Sequence, residues 1–383
     1  MRTYQAPNKC VLFLLILGAC ALVESEALRV LAADPSTVAL KSQGEKSFVL
    51  SKKRVRLGKA LFFDRRLSAN GTVSCATCHD PASAFTSRDA VTRGVGNEKG
   101  TRNAPTLLNS FARTSYFWDG RAATLEEQAK QPLLNINEMG METEAAVVER
   151  VSAIDEYRKS FRRVFPREGI TLDTISRAIA AFERTLISRN SPFDRFLRGN
   201  TKAITERQKQ GWELFKGRAK CADCHVSSTV SPDFSDEKFY NTGIRSRHLT
   251  FETLVQRAEE LRGQRNHPRR NSTILAHDPQ LSDLGRFLIT LNAQDLGAFK
   301  TPTLRDIELT GPYMHDGSLR TLLDVVRFYN QGGSKNPQID KKITPLNLNE
   351  EEMNAIVEFL RSLTSDEVLR MVQTLKPQTR EAR

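Results

Sequence analysis

The chain has 383 residues and a formal net charge of +12 at pH 7, long enough for two domains. Of its six cysteines, two lie in the first twenty residues and four form two C-x-x-C pairs. That usage excludes a disulfide-stapled scaffold.

In chain order, the first element is a leader. Arg2 and Lys9 flank the start, and Val11–Val23 (VLFLLILGACALV) is an apolar run closed by Glu24. The run has the length of a signal-peptide core and is too short for a membrane-spanning helix. Residues 1–27 therefore predict export, to the periplasm in a bacterium. Leu17–Cys20 (LGAC) also resembles a lipobox, which would leave Cys20 acylated and the protein lipid-anchored; an ordinary leader that contains a cysteine is the alternative. Cys10 is removed either way.

The next element carries the chemistry. Cys75-Ala76-Thr77-Cys78-His79 recurs as Cys221-Ala222-Asp223-Cys224-His225. C-x-x-C-H is the attachment site of c-type haem. Two thiols join the porphyrin vinyl groups and the adjacent histidine ligates iron. A zinc half-site would need two further ligands beside each pair, and no cysteine remains to supply them. A redox dithiol wants a βαβ setting, whereas the flanks read as helical. The cofactors predicted are two covalently bound haems c. Nucleic acid is excluded as the reason for basic charge on an exported haem protein. The charge either steers an acidic redox partner or is solvated surface.

Both motifs sit in similar surroundings. Gly58–Phe62 (GKALF) precedes the first and Gly211–Phe215 (GWELF) the second, each read as the last turns of a helix. Thr205 and Gln208 have capping-box spacing at the start of the latter. Apolar residues recur at three- and four-residue steps from Ala146 to Phe165, from Leu172 to Ile187, and from Glu350 to Leu363 with Asn349 as N-cap. No segment alternates with period two. The fold class predicted is all-α: two c-type cytochrome domains related by internal duplication. Their bounds are 45–190 and 205–375, with a linker at 191–204 and an insertion near 245–285 in the second.

With these phrases in order, the chain resembles the bacterial di-haem cytochrome c peroxidase superfamily, including its MauG-type branch. The resemblance runs through Leu57–Leu67 (LGKALFFDRRL), Arg102–Leu107 (RNAPTL), Phe117–Arg121 (FWDGR), Pro132–Met139 (PLLNINEM), Phe299–Arg305 (FKTPTLR), Gly311–Ser318 (GPYMHDGS) and Phe328–Gly333 (FYNQGG), besides both haem motifs.

The resemblance implies that the first haem, on His79, is the peroxide site. Classical members carry a distal histidine sixteen residues after this ligand; here that position is Val95, and no histidine occurs between His79 and His225. The open face this implies is the MauG-type pattern; an Asn, a Met or a histidine from the insertion in the sixth position is the alternative. Counting from Trp118, the implied peroxide acid/base is Glu138, with Gln128 and Pro132 on the distal face. Trp118 itself is implied as an electron relay between the haems. The second haem, on His225, takes Tyr329 as the implied sixth ligand, fourteen residues after His315; Met314 is the rival. A phenolate donor lowers the iron potential relative to methionine. The family also binds one Ca²⁺, for which Asn103, Thr310 and Pro312 are the matching positions.

Three functions follow. The first is a peroxidase that reduces hydrogen peroxide with electrons from a small cytochrome c or cupredoxin. The second is a MauG-type oxidase of a protein substrate. The third is a di-haem electron carrier, which would need no acid at an open iron. Monomer and homodimer both remain open.

Overall fold

The computed structural model describes residues 51–226, 233–244, 250–263, 278–279 and 281–375. The predicted leader with Cys20, and the basic run near Arg265–Arg270, lie outside the described residues. Helices α1 (Lys52–Phe63), α2 (Cys75–Cys78), α3 (Leu125–Leu134), α4 (Glu144–Ser152), α5 (Asp155–Val164) and α6 (Leu172–Glu183) come first. Helices α7 (Pro192–Leu197), α8 (Glu206–Lys216), α9 (Phe251–Gly263), α10 (Phe287–Thr290), α11 (Leu322–Asn330), α12 (Glu350–Arg361) and α13 (Asp366–Leu375) follow. The strands among the described residues are β1 (Phe239–Tyr240) and β2 (Phe299–Lys300), paired antiparallel. Among the described residues no helix is long and apolar enough to cross a membrane.

Local chemistry sets the helix bounds. Thr205 accepts from the Gln208 N–H at 3.2 Å while the Gln208 side chain accepts from the Thr205 N–H at 2.9 Å, a reciprocal cap that starts α8. Asn349 caps α12 in the same way through Glu352. The stripe from Ala146 to Phe165 predicts one helix, and the structure breaks it in two. Ile154 takes extended backbone (φ −97°, ψ 114°) as the N-cap of α5. Asp155 and Glu156 then fill the first turn, where the helix dipole favours acids. The stripe from Leu172 to Ile187 ends as a helix at Glu183, and Leu186 stays buried from the turn beyond it.

Two hydrophobic clusters form around two helix pairs. In the first, α1 crosses α6 at Gly58, where a Cβ would lie 1.8 Å from the Ala178 carbonyl oxygen. Phe62 then meets Phe182 with ring centroids 5.1 Å apart. In the second, α8 crosses α12 at Gly211, where a Cβ would lie 1.9 Å from the Ala355 oxygen, and Phe215 meets Phe359 at 5.0 Å. Each crossing is tight because glycine has no side chain to separate the backbones.

Two segments depart from the expected bounds. The stretch 191–204, read as a linker, contains α7, capped by Ser191, and buries Phe193 fully in the second cluster. A phenylalanine and a capping serine give that stretch a core face of its own. Helix α13, at the end of the segment assigned to the second domain, buries Val368, Met371 and Val372 in the first cluster instead.

Part of the insertion is described. Helix α9 contributes Phe251, Leu254 and Ala258 to a third small core with Leu284, Phe287, Leu288 and Leu296. Arg286 from this unit donates to the backbone oxygens of Asp119 (2.8 Å) and Gly120 (3.1 Å).

Gly58→Ala and Gly211→Ala should each destabilise the fold by about 1–3 kcal/mol, measured by denaturant unfolding. Gly263→Ala, where nothing lies within 4 Å of the added carbon, should stay within about 0.5 kcal/mol.

Candidate active site

Each C-x-x-C-H motif forms one wall of its own cavity. In the first, Ser74 and Thr77 form a reciprocal cap over α2, and the turn after it aims His79 inward. His79 Nδ1 lies 3.2 Å from the Phe85 carbonyl oxygen, and His225 Nδ1 lies 2.8 Å from that of Phe234. A carbonyl only accepts, so Nδ1 carries the proton and Nε2 presents its lone pair. Burial pushes His79 down to about 4 and lowers His225 as well, so both imidazoles are neutral near pH 7. Phe85 and Phe234 are fully buried and both hold left-handed backbone (φ 57° and 53°), which turns their carbonyls toward the rings.

The thiols fit covalent haem. Desolvation raises Cys78 to about 11 and Cys221 to about 12, and it raises Cys75 and Cys224 too. These are the reverse of the lowered thiols of redox dithiols, and an uncharged thioether suits such surroundings. Among the described residues no group of three or more His, Cys, Asp or Glu converges to hold a metal ion alone. His79 is the histidine lining the first cavity; His315 lines the second beside His225, but its Nε2 is on Asp283, so each motif histidine is the one that would hold a haem iron.

The first cavity, of about 130 Å³, is lined by Cys75, Cys78 and His79 and also by Trp118, Gln128, Pro132 and Glu138. Thr124 caps α3 through the Glu127 N–H, and the helix carries Gln128 and Pro132 on its inner face. After α3 the chain turns around Asn135, whose carbonyl accepts from Glu138 (3.0 Å) and Gly140 (2.8 Å). That turn swings Glu138 back over the cavity. Desolvation raises the Glu138 carboxyl above its ordinary value, opposed by the Arg121 charge and by Asn135. Gln128 Oε1 is buried without a hydrogen-bond partner, a polar atom waiting for a guest. Val95, at the classical distal-histidine position, donates its N–H to the Glu138 carbonyl at 2.9 Å and packs on the first core.

The second cavity, of about 230 Å³, is lined by Cys221, Cys224, His225, Tyr329 and Met314. Thr321 caps α11, which carries Tyr329. Desolvation by burial raises the Tyr329 phenol, with a smaller contribution from Cys224 and Cys221, which line the same cavity. Pro132 stands eight residues after the Thr124 cap, and Tyr329 eight after the Thr321 cap. The two helices thus offer a proline and a phenol at corresponding points.

Trp118 lines both cavities, and its Nε1 donates to the Asn103 carbonyl at 2.9 Å. The neighbouring Asp119 is fully buried between Arg102 (2.5 Å) and Arg121 (3.0 Å). Those guanidinium charges hold its carboxyl below the ordinary range against desolvation. Arg121 also donates to Gln131 at 2.9 Å and lies 3.5 Å from the Phe117 ring. Asn103, Thr310 and Pro312 all line the larger cavity. The Asn103 amide nitrogen is committed to the carbonyls of Asp89 and Ala90, so its oxygen is the end suited to a hard cation.

All site residues named from the sequence thus reach one of the two cavities. The sequence reading missed others. Glu183 lines the first cavity, is 3% exposed, and has an Oε2 with no hydrogen-bond partner. Desolvation pushes it up to about 8. Its signal was available, since a Glu four residues after Ile179 falls on the apolar stripe of α6. His315 pairs with Asp283 at 3.2 Å and stacks on Phe299 at 3.6 Å. Asp283 comes from the insertion, a contact no local pattern announces.

The geometry agrees with what the chain is similar to. A family model described as di-haem cytochrome c peroxidase matches residues 52–202. The cytochrome-c peroxidase IdrP2 of Denitromonas iodatirespirans is 36% identical over 332 residues, 84% of this chain and 84% of its own length. The methylamine utilization protein MauG of Methylorubrum extorquens is 37% identical over 322 residues, 83% and 80%. A crystal structure of a MauG-like protein associated with microbial copper homeostasis superposes with a TM-score of 0.67 at 32% identity, covering 84% of this chain and 91% of that one. With that likeness spread over both haem motifs, the chain belongs to the di-haem cytochrome c peroxidase family.

Proposed function

We propose that the protein reduces hydrogen peroxide to water at the His79 centre, using electrons that a small cytochrome c or cupredoxin delivers through the His225 centre. The observation that carries this reading is Glu138, a desolvated carboxyl in the same cavity as His79 and Gln128. When bound, the haems supply the iron that takes peroxide and the electrons that cleave its O–O bond. The protein's part is proton handling. Reduction consumes two electrons and two protons and yields two waters. Glu138 takes the proton from one peroxide oxygen and returns it to the other, so that water is the leaving group. Gln128 orients the peroxide from the adjacent turn of α3. The Arg121 charge opposes the desolvation that raises Glu138 and so favours its ionised form. Trp118, in the wall between the cavities, is the electron relay.

The two halves are read as duplicated cytochrome units. The paired crossings at Gly58 and Gly211, and the matching histidine–carbonyl bonds, support this. Pro132 and Tyr329 then occupy corresponding positions: with haem bound, a proline would offer its iron no ligand, and the phenol would be available to hold the other as a phenolate. Asn103, Thr310 and Pro312 are proposed as the Ca²⁺ site, and the periplasm as the location.

Tyr329 also favours a second reading. An anionic ligand helps an iron hold oxidising equivalents, which suits MauG-type oxidation of a protein substrate. Steady-state turnover with reduced cytochrome c separates the two, because only the peroxidase sustains it. A simple electron carrier is disfavoured, since it has no use for Glu138 beside an open iron.

Glu138→Gln should slow peroxide consumption by about 10²–10⁴-fold, with two haems per chain still found by pyridine haemochrome assay. Because the carboxylate must accept a proton and desolvation raises its pKa, the wild-type rate should fall as pH drops through a value above the ordinary 4.5. The Gln variant should lack that acid limb. Pro132→Tyr should cap the first iron, abolish peroxide consumption and leave the His225 spectrum unchanged. Unaltered peroxide consumption in Glu138→Gln would remove the acid/base assignment.

A further inference from the structure

We propose that Tyr240 is the redox relay between the second haem and a docked acidic redox protein, with Asp236 as acceptor of its proton. The inference rests on the electron-transfer role given above to the His225 centre.

Tyr240 ends β1, lines the second cavity and interacts with Cys224 at its edge. It is only partly buried, so its ring stands between the cavity and solvent. A phenol that loses an electron becomes a strong acid, so a tyrosine relays electrons only where its proton has a base to go to. The Tyr240 hydroxyl donates to Asp236 Oδ2 at 2.6 Å. Other described tyrosines lack this combination. Tyr313 also lines the cavity but donates to the backbone oxygen of Ile307, a poor base. Tyr157 donates to the Asp64 carboxylate at 2.7 Å but lines neither cavity.

Lysines and acids mix on the rim around Tyr240, where Asp236 and Asp340 stand beside Lys342. Lys342 Nζ donates to the phenol oxygen at 3.0 Å and to the Asp223 carbonyl at 3.0 Å. Lys342, Lys341 and Lys220 are exposed, and Lys220 also lines the cavity. The exposed ammonium groups are what an acidic partner would meet at this edge. The Lys342 charge also favours departure of the phenolic proton.

The step balances. One electron passes from Tyr240 to the oxidised second haem, and the phenolic proton passes to the Asp236 carboxylate. A neutral phenoxyl and a carboxylic acid remain. The docked protein gives one electron to the phenoxyl, and the proton returns from Asp236. Two cycles supply the two electrons that one hydrogen peroxide, the oxidant, takes up at the first haem.

The test mixes the two-haem protein with one equivalent of hydrogen peroxide without donor and freezes it for electron paramagnetic resonance. Oxidation of an acidic cytochrome c is followed in parallel. Wild type should show a phenoxyl signal. Tyr240→Phe and Asp236→Asn should lose it and slow donor oxidation, with both haems attached and the first equivalent of peroxide still consumed. Tyr157→Phe should keep both the signal and the rate. Lys342→Glu should raise KM for the acidic donor about tenfold or more. A Tyr240→Phe protein with the wild-type signal and donor rate would overturn the relay. Wild-type protein that leaves peroxide unconsumed would overturn the peroxidase reading, and the relay with it.

Discussion

One hydrogen bond, made twice, governs how this chain can use metal. The Nδ1–H of His79 and of His225 is tied to a buried phenylalanine carbonyl, and each phenylalanine is held in left-handed backbone. The bond sets the tautomer, fixes the plane of the ring and turns Nε2 into the cavity. Everything above it serves to keep that carbonyl in place. The helix pairs cross at glycines so closely that no side chain fits between them, and the phenylalanine clusters pack beside those crossings. A rigid frame lets two thiols and one imidazole address one porphyrin edge and its iron.

On the proposed reading of two duplicated units, function comes from where the two cavities differ. The first cavity has a proline where the second has a phenol. It also has Glu183 directly after Phe182, where the second has Leu360 directly after Phe359, each lining its own cavity. Glu138 adds a second desolvated carboxyl to the first cavity alone. On the reading proposed here, that side handles protons and oxygen, and the other, closed by Tyr329, handles electrons. Trp118 belongs to the walls of both. It is held by a backbone carbonyl and flanked by the Arg102–Asp119–Arg121 cluster. Removing either guanidinium partner would leave the Asp119 carboxylate buried and under-compensated.

Much of this was legible in the sequence because the informative signals are local. The C-x-x-C-H motifs, the Thr205 and Asn349 caps and the stripe of α6 each depend on residues within a few positions. The cavity-lining positions came from the resemblance to the di-haem peroxidase family, carried over residue by residue within its phrases. What escaped has long-range causes. The break at Ile154 sits inside an unbroken apolar stripe, since an extended N-cap costs the pattern nothing. The return of α13 to the first core is a tertiary choice that its amphipathic sequence leaves open. The residues 191–204 look like a joint by composition, yet Phe193 finds a core. Glu183 is the exception, since its place on the apolar stripe of α6 is itself a local sign. The Tyr240–Asp236–Lys342 group joins residues a hundred positions apart.

The central claim is that one iron is open beside a proton-handling carboxyl and the other is capped on both sides. Electron paramagnetic resonance of the untreated ferric protein reads this directly. The account predicts one high-spin centre, from the His79 haem, and one low-spin centre, from the His225 haem with its sixth ligand. Two low-spin centres in protein carrying both haems would contradict it.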